Sequence, residues 1–241
     1  MSLTVFAHRG ASGYEPENTL KAFATALEQG ATSFELDVYN VEDQLVVFHD
    51  ENLKRLTEID KAIADTSLNE LSGLTVRGER IPTLIDVLAL LKGCEVNIEL
   101  KGPNTYQPLI DLYPSLEQEF GFTPSELLIS SFDHQALLQV RQALPNVRIA
   151  PLYHEFPDTF NQVIDALQPD AIHVSLNMLK QNPKKLEQLQ AITKVHVFTV
   201  NEKDDINTVL DLGLAGIFCD YPDKALEWIK AYAETTTVDG R

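Results

Sequence analysis

The chain has 241 residues, with 19 Lys and Arg against 36 Asp and Glu, and so a formal charge of −17. That balance excludes a binder of nucleic acid or anionic membranes, whose phosphates are held by an excess of Lys and Arg, but admits a small anionic substrate in a local positive pocket. A chain this long buries roughly 70–75% of the surface it exposes when unfolded, and its two cysteines, Cys94 and Cys219, are too few for a disulfide framework and are expected free in a reducing compartment.

No apolar run approaches the ~20 residues that cross a bilayer. The first residues lack the basic and apolar regions of a signal peptide, so the expectation is a cytoplasmic protein without stable membrane association. In chain order, short apolar runs at 4–7, 33–38, 45–48, 96–100, 127–130, 148–152, 171–174, 195–199 and 216–219 read as strands. Between them apolar residues recur at helical spacing, as in Leu20/Phe23/Ala24/Leu27, Phe160/Val163/Ile164/Leu167 and Ala225/Trp228/Ile229/Tyr232. Thr83 and Asp86 have the spacing of a helix N-terminal cap, and Gly30 and Gly213 fall where helices should stop.

Repeated strand–helix alternation predicts an α/β fold on a parallel sheet, and the strand count favours a TIM (β/α)8 barrel over an open sheet. No Gly-x-Gly-x-x-Gly follows the first strand, which argues against dinucleotide binding. The runs at 33–38 and 45–48 are too close for a parallel crossover of a dozen residues, so the second is expected to be antiparallel and accessory. Residues 50–80 are polar, show no clear strand and read as a small insertion on one rim. Residues 1–233 are expected to form one domain, followed by a polar tail at 234–241.

Strands of a parallel barrel are apolar on both faces, so charges within them need a reason. Glu35 and Asp37 alternate with Phe34, Leu36 and Val38, and therefore share one face. Glu99 repeats the pattern between Ile98 and Leu100. Three carboxylates converging on a barrel mouth form a hard oxygen site suited to Mg²⁺ or Ca²⁺; the competing reading is a set of internal ion pairs with Arg9 and Lys101. His8 and His49 each close a strand beside these charges, where imidazole is suited to proton transfer. Arg9 and Lys101 are the natural holders of a phosphate, one as a planar fork and the other as a point charge. His134, His154, His173 and His196 are read as structural.

His8-Arg9-Gly10, Glu17-Asn18-Thr19, Glu35-x-Asp37, His49-Asp50, Ile81-Pro82-Thr83-Leu84, Glu99-x-Lys101, Ser131-Phe132, Phe198-Thr199-Val200-Asn201 and Asp220-Tyr221-Pro222 follow one another along the chain. Their order resembles that in glycerophosphodiester phosphodiesterases, from about residue 6 to about residue 228. The resemblance implies a TIM barrel with an insertion after the second histidine. It also implies metal-dependent hydrolysis of glycerophosphodiesters, such as glycerophosphocholine or glycerophosphoethanolamine, to sn-glycerol 3-phosphate and an alcohol. By the same resemblance His8 and His49 are the general acid/base pair, with Glu35, Asp37 and Glu99 as metal ligands and Arg9 and Lys101 as phosphate holders. Phe198 stands where many members carry Trp on the glycerol side. The stretch that is often Thr- and Gly-rich after the second histidine here reads Arg55-Leu56-Thr57-Glu58-Ile59-Asp60. Two alternatives stay open at this point: action on lysophospholipid or phosphoinositol head groups by the same barrel, and a barrel that binds a phosphodiester without turnover.

Overall fold

The computed structural model describes residues 3–239. Eleven strands lie among them. In chain order they are β1 (Thr4–His8), β2 (Ser33–Val41), β3 (Gln44–Val47), β4 (Thr75–Val76), β5 (Glu79–Arg80) and β6 (Glu95–Leu100), then β7 (Leu127–Ser131), β8 (Arg148–Tyr153), β9 (Ala171–Ser175), β10 (Lys194–Phe198) and β11 (Gly216–Cys219). Eight of them pair in parallel in the order β1-β11-β10-β9-β8-β7-β6-β2, and β1 closes on β2. This closed ring is a TIM barrel. β3 runs antiparallel along the outer end of β2, with Val38 opposite Val47, as the short spacing between the two runs requires.

Helices alternate with the barrel strands, and the residues flanking them explain their limits. Thr19 accepts the Ala22 N–H at the start of α1 (Leu20–Glu28), and Gly30 follows its end at φ +89°. After α2 (Lys54–Thr57) and α3 (Leu68–Ser72), α4 (Leu84–Leu90) opens with a reciprocal cap between Thr83 and Asp86. Asp133 caps α6 (His134–Ala143), which follows α5 (Tyr106–Gln118). The series continues with α7 (Phe160–Leu167), α8 (Leu176–Gln181), α9 (Pro183–Gln190), α10 (Lys203–Asp211) and α11 (Pro222–Asp239).

Phe34, Leu36 and Val38 point outward from β2 into the layer under the helices and are fully buried with Phe23, Val87 and Ile98. Inside the barrel Phe6 stacks on Phe218, with ring centroids 5.0 Å apart. His173 and His196 sit beside them, ring nitrogens 3.2 Å apart. Burial lowers the pKa of both, that of His196 to about 3, so the pair is a neutral part of the core. Cys94 and Cys219 are both free, as expected.

Two stretches differ from the sequence expectation. The insertion is not strandless: α2, a 3-10 turn at Ile63–Asp65, α3 and the β4–β5 hairpin fill it. Its few apolar residues, Leu53, Ile63, Leu71 and Val76, are buried against Tyr39, Val41, Val46 and Phe48. They are too sparse to show a period. The stretch read as a polar tail instead continues α11 through Asp239. The Tyr232 hydroxyl donates to Asp211 of α10, which ties the two helices together, and the Thr235 hydroxyl is satisfied within the helix by the Tyr232 carbonyl. Residues 240–241 of that predicted tail lie outside the described residues.

Candidate active site

The C-terminal ends of the barrel strands open on a cavity of about 490 Å³. His8, Arg9, Glu35, His49, Glu99 and Lys101 line it, with Phe132, His154 and Phe198 forming an aromatic wall. The structure therefore gathers the residues singled out by sequence at one mouth. Asp37, 1% exposed, completes the group through its pairing to Arg9.

Register places the acids. Glu35 and Asp37 of β2 lie beside Asn97 and Glu99 of β6, and alternation turns all four inward. One oxygen from each of Glu35, Asp37 and Glu99 lies within 4.8 Å of the others, and all three residues are buried. Burial, then the neighbouring Asp37 and Glu99 charges, raises Glu35 well above the ordinary carboxyl range. Burial and Asp37 likewise raise Glu99, to about 7. Burial pushes Asp37 up too, but Arg9 and Lys101 outweigh it and hold this carboxyl below its usual value. Two cations thus compensate one acid fully and leave the cluster short of positive charge. The donor set fits a divalent cation that prefers oxygen ligands.

The turn after β1 aims the first cation. Arg9 has φ +56° and Gly10 φ +80°, and a Cβ on Gly10 would fall 2.6 Å from the Ala22 backbone. Only glycine lets α1 approach this closely. The turn lets the Arg9 backbone N–H donate to Glu35 Oε2 at 3.0 Å while its guanidinium Nε meets Asp37 Oδ2 at 3.2 Å and Nη1 meets Glu17 Oε1 at 2.8 Å. Lys101 Nζ lies 2.8 Å from Glu99 Oε1 and 3.5 Å from Asp37 Oδ1.

His8 and His49 each have a carboxylate behind them. His8 Nδ1 lies 2.6 Å from Asp220 Oδ1, and His49 Nδ1 lies 2.6 Å from Asp50 Oδ1. An ionised carboxylate only accepts, so Nδ1 carries the proton in both rings and Nε2 is left for the cavity. Burial opposes ionisation of Asp220, but hydrogen bonds from His8, Asn201 and Ser12 bring its pKa to about 2. Hydrogen bonds from Arg55 do most to bring Asp50 to about 2. His49 is lowered by burial, with Asp37 pulling it back up.

Sequence reasoning quoted Asp50, Asp220, Glu17 and Asn18 within motifs but gave them no role. Asn18 Nδ2 donates to Asp37 Oδ2 at 2.9 Å, and Glu17 steadies Arg9. The signal was plainest for Asp50, which directly follows His49, and weaker for Asp220, which directly follows the end of β11. His154, read as structural, instead stacks on Phe132 with centroids 4.6 Å apart at the cavity wall. His173 also reaches the cavity, from its floor, whereas His134 and His196 stay away from it.

The sequence model of the glycerophosphoryl diester phosphodiesterase family matches residues 8–224 of the chain. The chain belongs to that family. A glycerophosphodiester phosphodiesterase of Caldanaerobacter subterraneus subsp. tengcongensis is 33% identical over 250 residues, covering 95% of this chain and 99% of its own. One from Bacillus altitudinis is 33% identical over 243 residues, covering 92% and 96%. Among solved structures, an Oleispira antarctica phosphodiesterase in complex with its product sn-glycerol-3-phosphate superposes with a TM-score of 0.87 at 28% identity, over 94% of this chain and 96% of that one. The glycerophosphoryl diester phosphodiesterase fold is therefore present along nearly its whole length. No helix among the described residues is long and apolar enough to cross a membrane.

Proposed function

We propose that the protein hydrolyses glycerophosphodiesters such as glycerophosphocholine or glycerophosphoethanolamine to sn-glycerol 3-phosphate and an alcohol. One observation carries this reading. Three buried carboxylates, two cations and two carboxylate-backed imidazoles face a single cavity. A barrel that only bound a phosphodiester would have no use for both dyads.

Glu35, Asp37 and Glu99 would hold Mg²⁺ or Ca²⁺, which supplies Lewis-acid neutralisation of charge on the phosphoryl oxygens. Arg9 and Lys101 bind the phosphodiester and stabilise the charge that builds on its equatorial oxygens. His8 Nε2 lies 3.9 Å from Glu35 Oε2, beside the acid cluster. His8, with Nε2 free, takes the proton of the nucleophile there, and His49, entering the step as the imidazolium with Nε2 also protonated, gives that Nε2 proton to the departing alkoxide. Asp220 and Asp50 fix the two ring orientations. Phe198, with Phe132 and His154, offers an apolar wall to the carbon skeleton of the substrate.

Turnover of glycerophosphocholine and glycerophosphoethanolamine, with and without chelator, tests the reading; release of neither alcohol by the metal-loaded protein overturns it. Arg9→Lys is expected to lower kcat/KM by about 10–100-fold. A point charge cannot meet Glu17, Asp37 and a phosphate oxygen from one planar fork. Steady-state kinetics of the Arg9→Lys variant check this, and a change under threefold contradicts it.

A further inference from the structure

We infer that Arg55, a residue of the rim insertion, is a positioning residue that holds the acid/base and phosphate-binding halves of the site in register. The inference rests on the phosphodiesterase reading above. Arg55 bonds two carboxylates at once. Its Nε and Nη2 reach Asp50 at 2.5 and 2.8 Å, and its Nη1 and Nη2 reach Glu17 at 2.7 and 2.8 Å. Each of those acids is in turn spoken for by a cavity residue. Asp50 accepts the Nδ1 proton of His49, and Glu17 accepts from Arg9 Nη1. One guanidinium is thus the common partner of both acids behind the site, although Arg55 itself does not line the cavity.

Removing it leaves Asp50 and Glu17 as adjacent like charges with nothing between them. Each would then turn its carboxylate away from the other and out of line with the ring or fork it supports. An ordinary surface ion pair is the competing reading, and it predicts a small effect on stability with none on rate. Two features separate the cases. Arg55 is 48% exposed, but the acid side chains are only 21% and 16% exposed, unlike both partners of a solvated pair. In addition, α2 is anchored to the insertion cluster by Leu53 just before it, which is fully buried, and by Leu56, which packs against the same cluster. A seated helix presents the Arg55 fork in one place. The insertion acquires a function from this arrangement: it supplies the clamp.

The test compares Arg55→Met and Arg55→Lys, each alone and with His49→Ala. Arg55→Met is expected to lower kcat/KM for glycerophosphocholine by about 10–100-fold, with more of the loss in kcat than in KM. Its melting midpoint should stay within about 4 °C of the parent. Arg55→Lys should recover no more than a few-fold, because an ammonium cannot fork to both acids. In the His49→Ala background the kcat cost of Arg55→Met should shrink to the part carried through Glu17 and Arg9, as residues acting through one another are not additive. Rates within twofold of the parent, full recovery with Lys, or an undiminished cost without His49 would each overturn the inference. Spectra of ¹⁵N-labelled histidine read the same positioning without turnover. In its neutral form, reached at a pH above its titration, His49 should hold a single Nδ1–H tautomer in the parent and a mixture in Arg55→Met, and an unchanged tautomer overturns the inference. If the parent hydrolyses no glycerophosphodiester, the proposed function fails, and the tautomer measurement still decides the role of Arg55.

Discussion

Exhaustive chelation is expected to abolish turnover, and added Mg²⁺ or Ca²⁺ to restore it. Three buried carboxylates whose donor oxygens fall within 4.8 Å of one another have only Arg9 and Lys101 to offset them. Zn²⁺ should restore less, because the cluster has no Cys or His set of the kind zinc selects. The same electrostatics predict a sign for stability against pH. A carboxyl usually has a depressed pKa in the folded state and loses stability in acid. Glu99, raised from 4.5 to about 7, does the opposite: its contribution is fully present below pH 4.5 and is lost as pH rises through 7. Glu35, raised further in direction, reinforces it. His173 and His196, lowered by burial, act in the opposite sense between pH 5 and pH 8, so the carboxyl contribution is read against Glu99→Gln: without metal, that substitution should raise the melting midpoint more at pH 8 than at pH 5. Added cation should raise the midpoint more at pH 8, since it binds the deprotonated ligands. Calorimetry at the two pH values with and without metal checks the sign. Full activity in protein shown metal-free by elemental analysis sinks the cation requirement, and an effect of Glu99→Gln that is the same at both pH values would remove its electrostatic basis.

All nine strand runs read from the sequence are strands in the structure, displaced at their ends by no more than a few residues. The reason is physical. In a parallel barrel each strand is covered by helices, so its outer face must be apolar, and apolar runs are what a sequence displays most openly. The acids of the site were legible for the converse reason: Glu35, Asp37 and Glu99 break that pattern on the face where an apolar residue would be expected. What could not be read was pairing across the chain. His8 and Asp220 are separated by 212 positions and meet only because β1 and β11 are neighbours in the closed ring. Arg55 and Glu17 meet across 38 positions for a similar reason, with the insertion folding back over the first turn. The insertion itself was opaque because its small cluster is built from single apolar residues in short elements, each below the length at which a period emerges. The aromatic wall was missed in part because His154 and Phe132 follow strand ends in loops, where composition carries no pattern.

His8→Ala and His49→Ala are each expected to lower kcat on glycerophosphodiesters by roughly 10²–10⁴-fold, the range for losing a general acid or base. KM should change less, because proton transfer is felt in the transition state while Arg9 and Lys101 still hold the phosphate. His134→Ala, away from the cavity, should leave turnover within a few-fold. His8 and His49 are told apart by the leaving group. A nitrophenyl alcohol departs without protonation, so the variant lacking the general acid should recover much of its rate on a nitrophenyl ester, whereas the variant lacking the base should not. We expect the recovering variant to be His49→Ala. His8 stands 3.9 Å from Glu35 of the acid cluster, whereas His49 is backed by the Arg55–Asp50 pair. Asp220→Asn and Asp50→Asn extend the test, since an amide can present either a donor or an acceptor to Nδ1 and so releases the tautomer that each carboxylate enforces. Each should reproduce part of the loss of its own histidine, with the same leaving-group dependence. Recovery by His8→Ala instead would exchange the two roles, and near-native rates in both alanine variants would remove histidine acid/base catalysis from this site altogether.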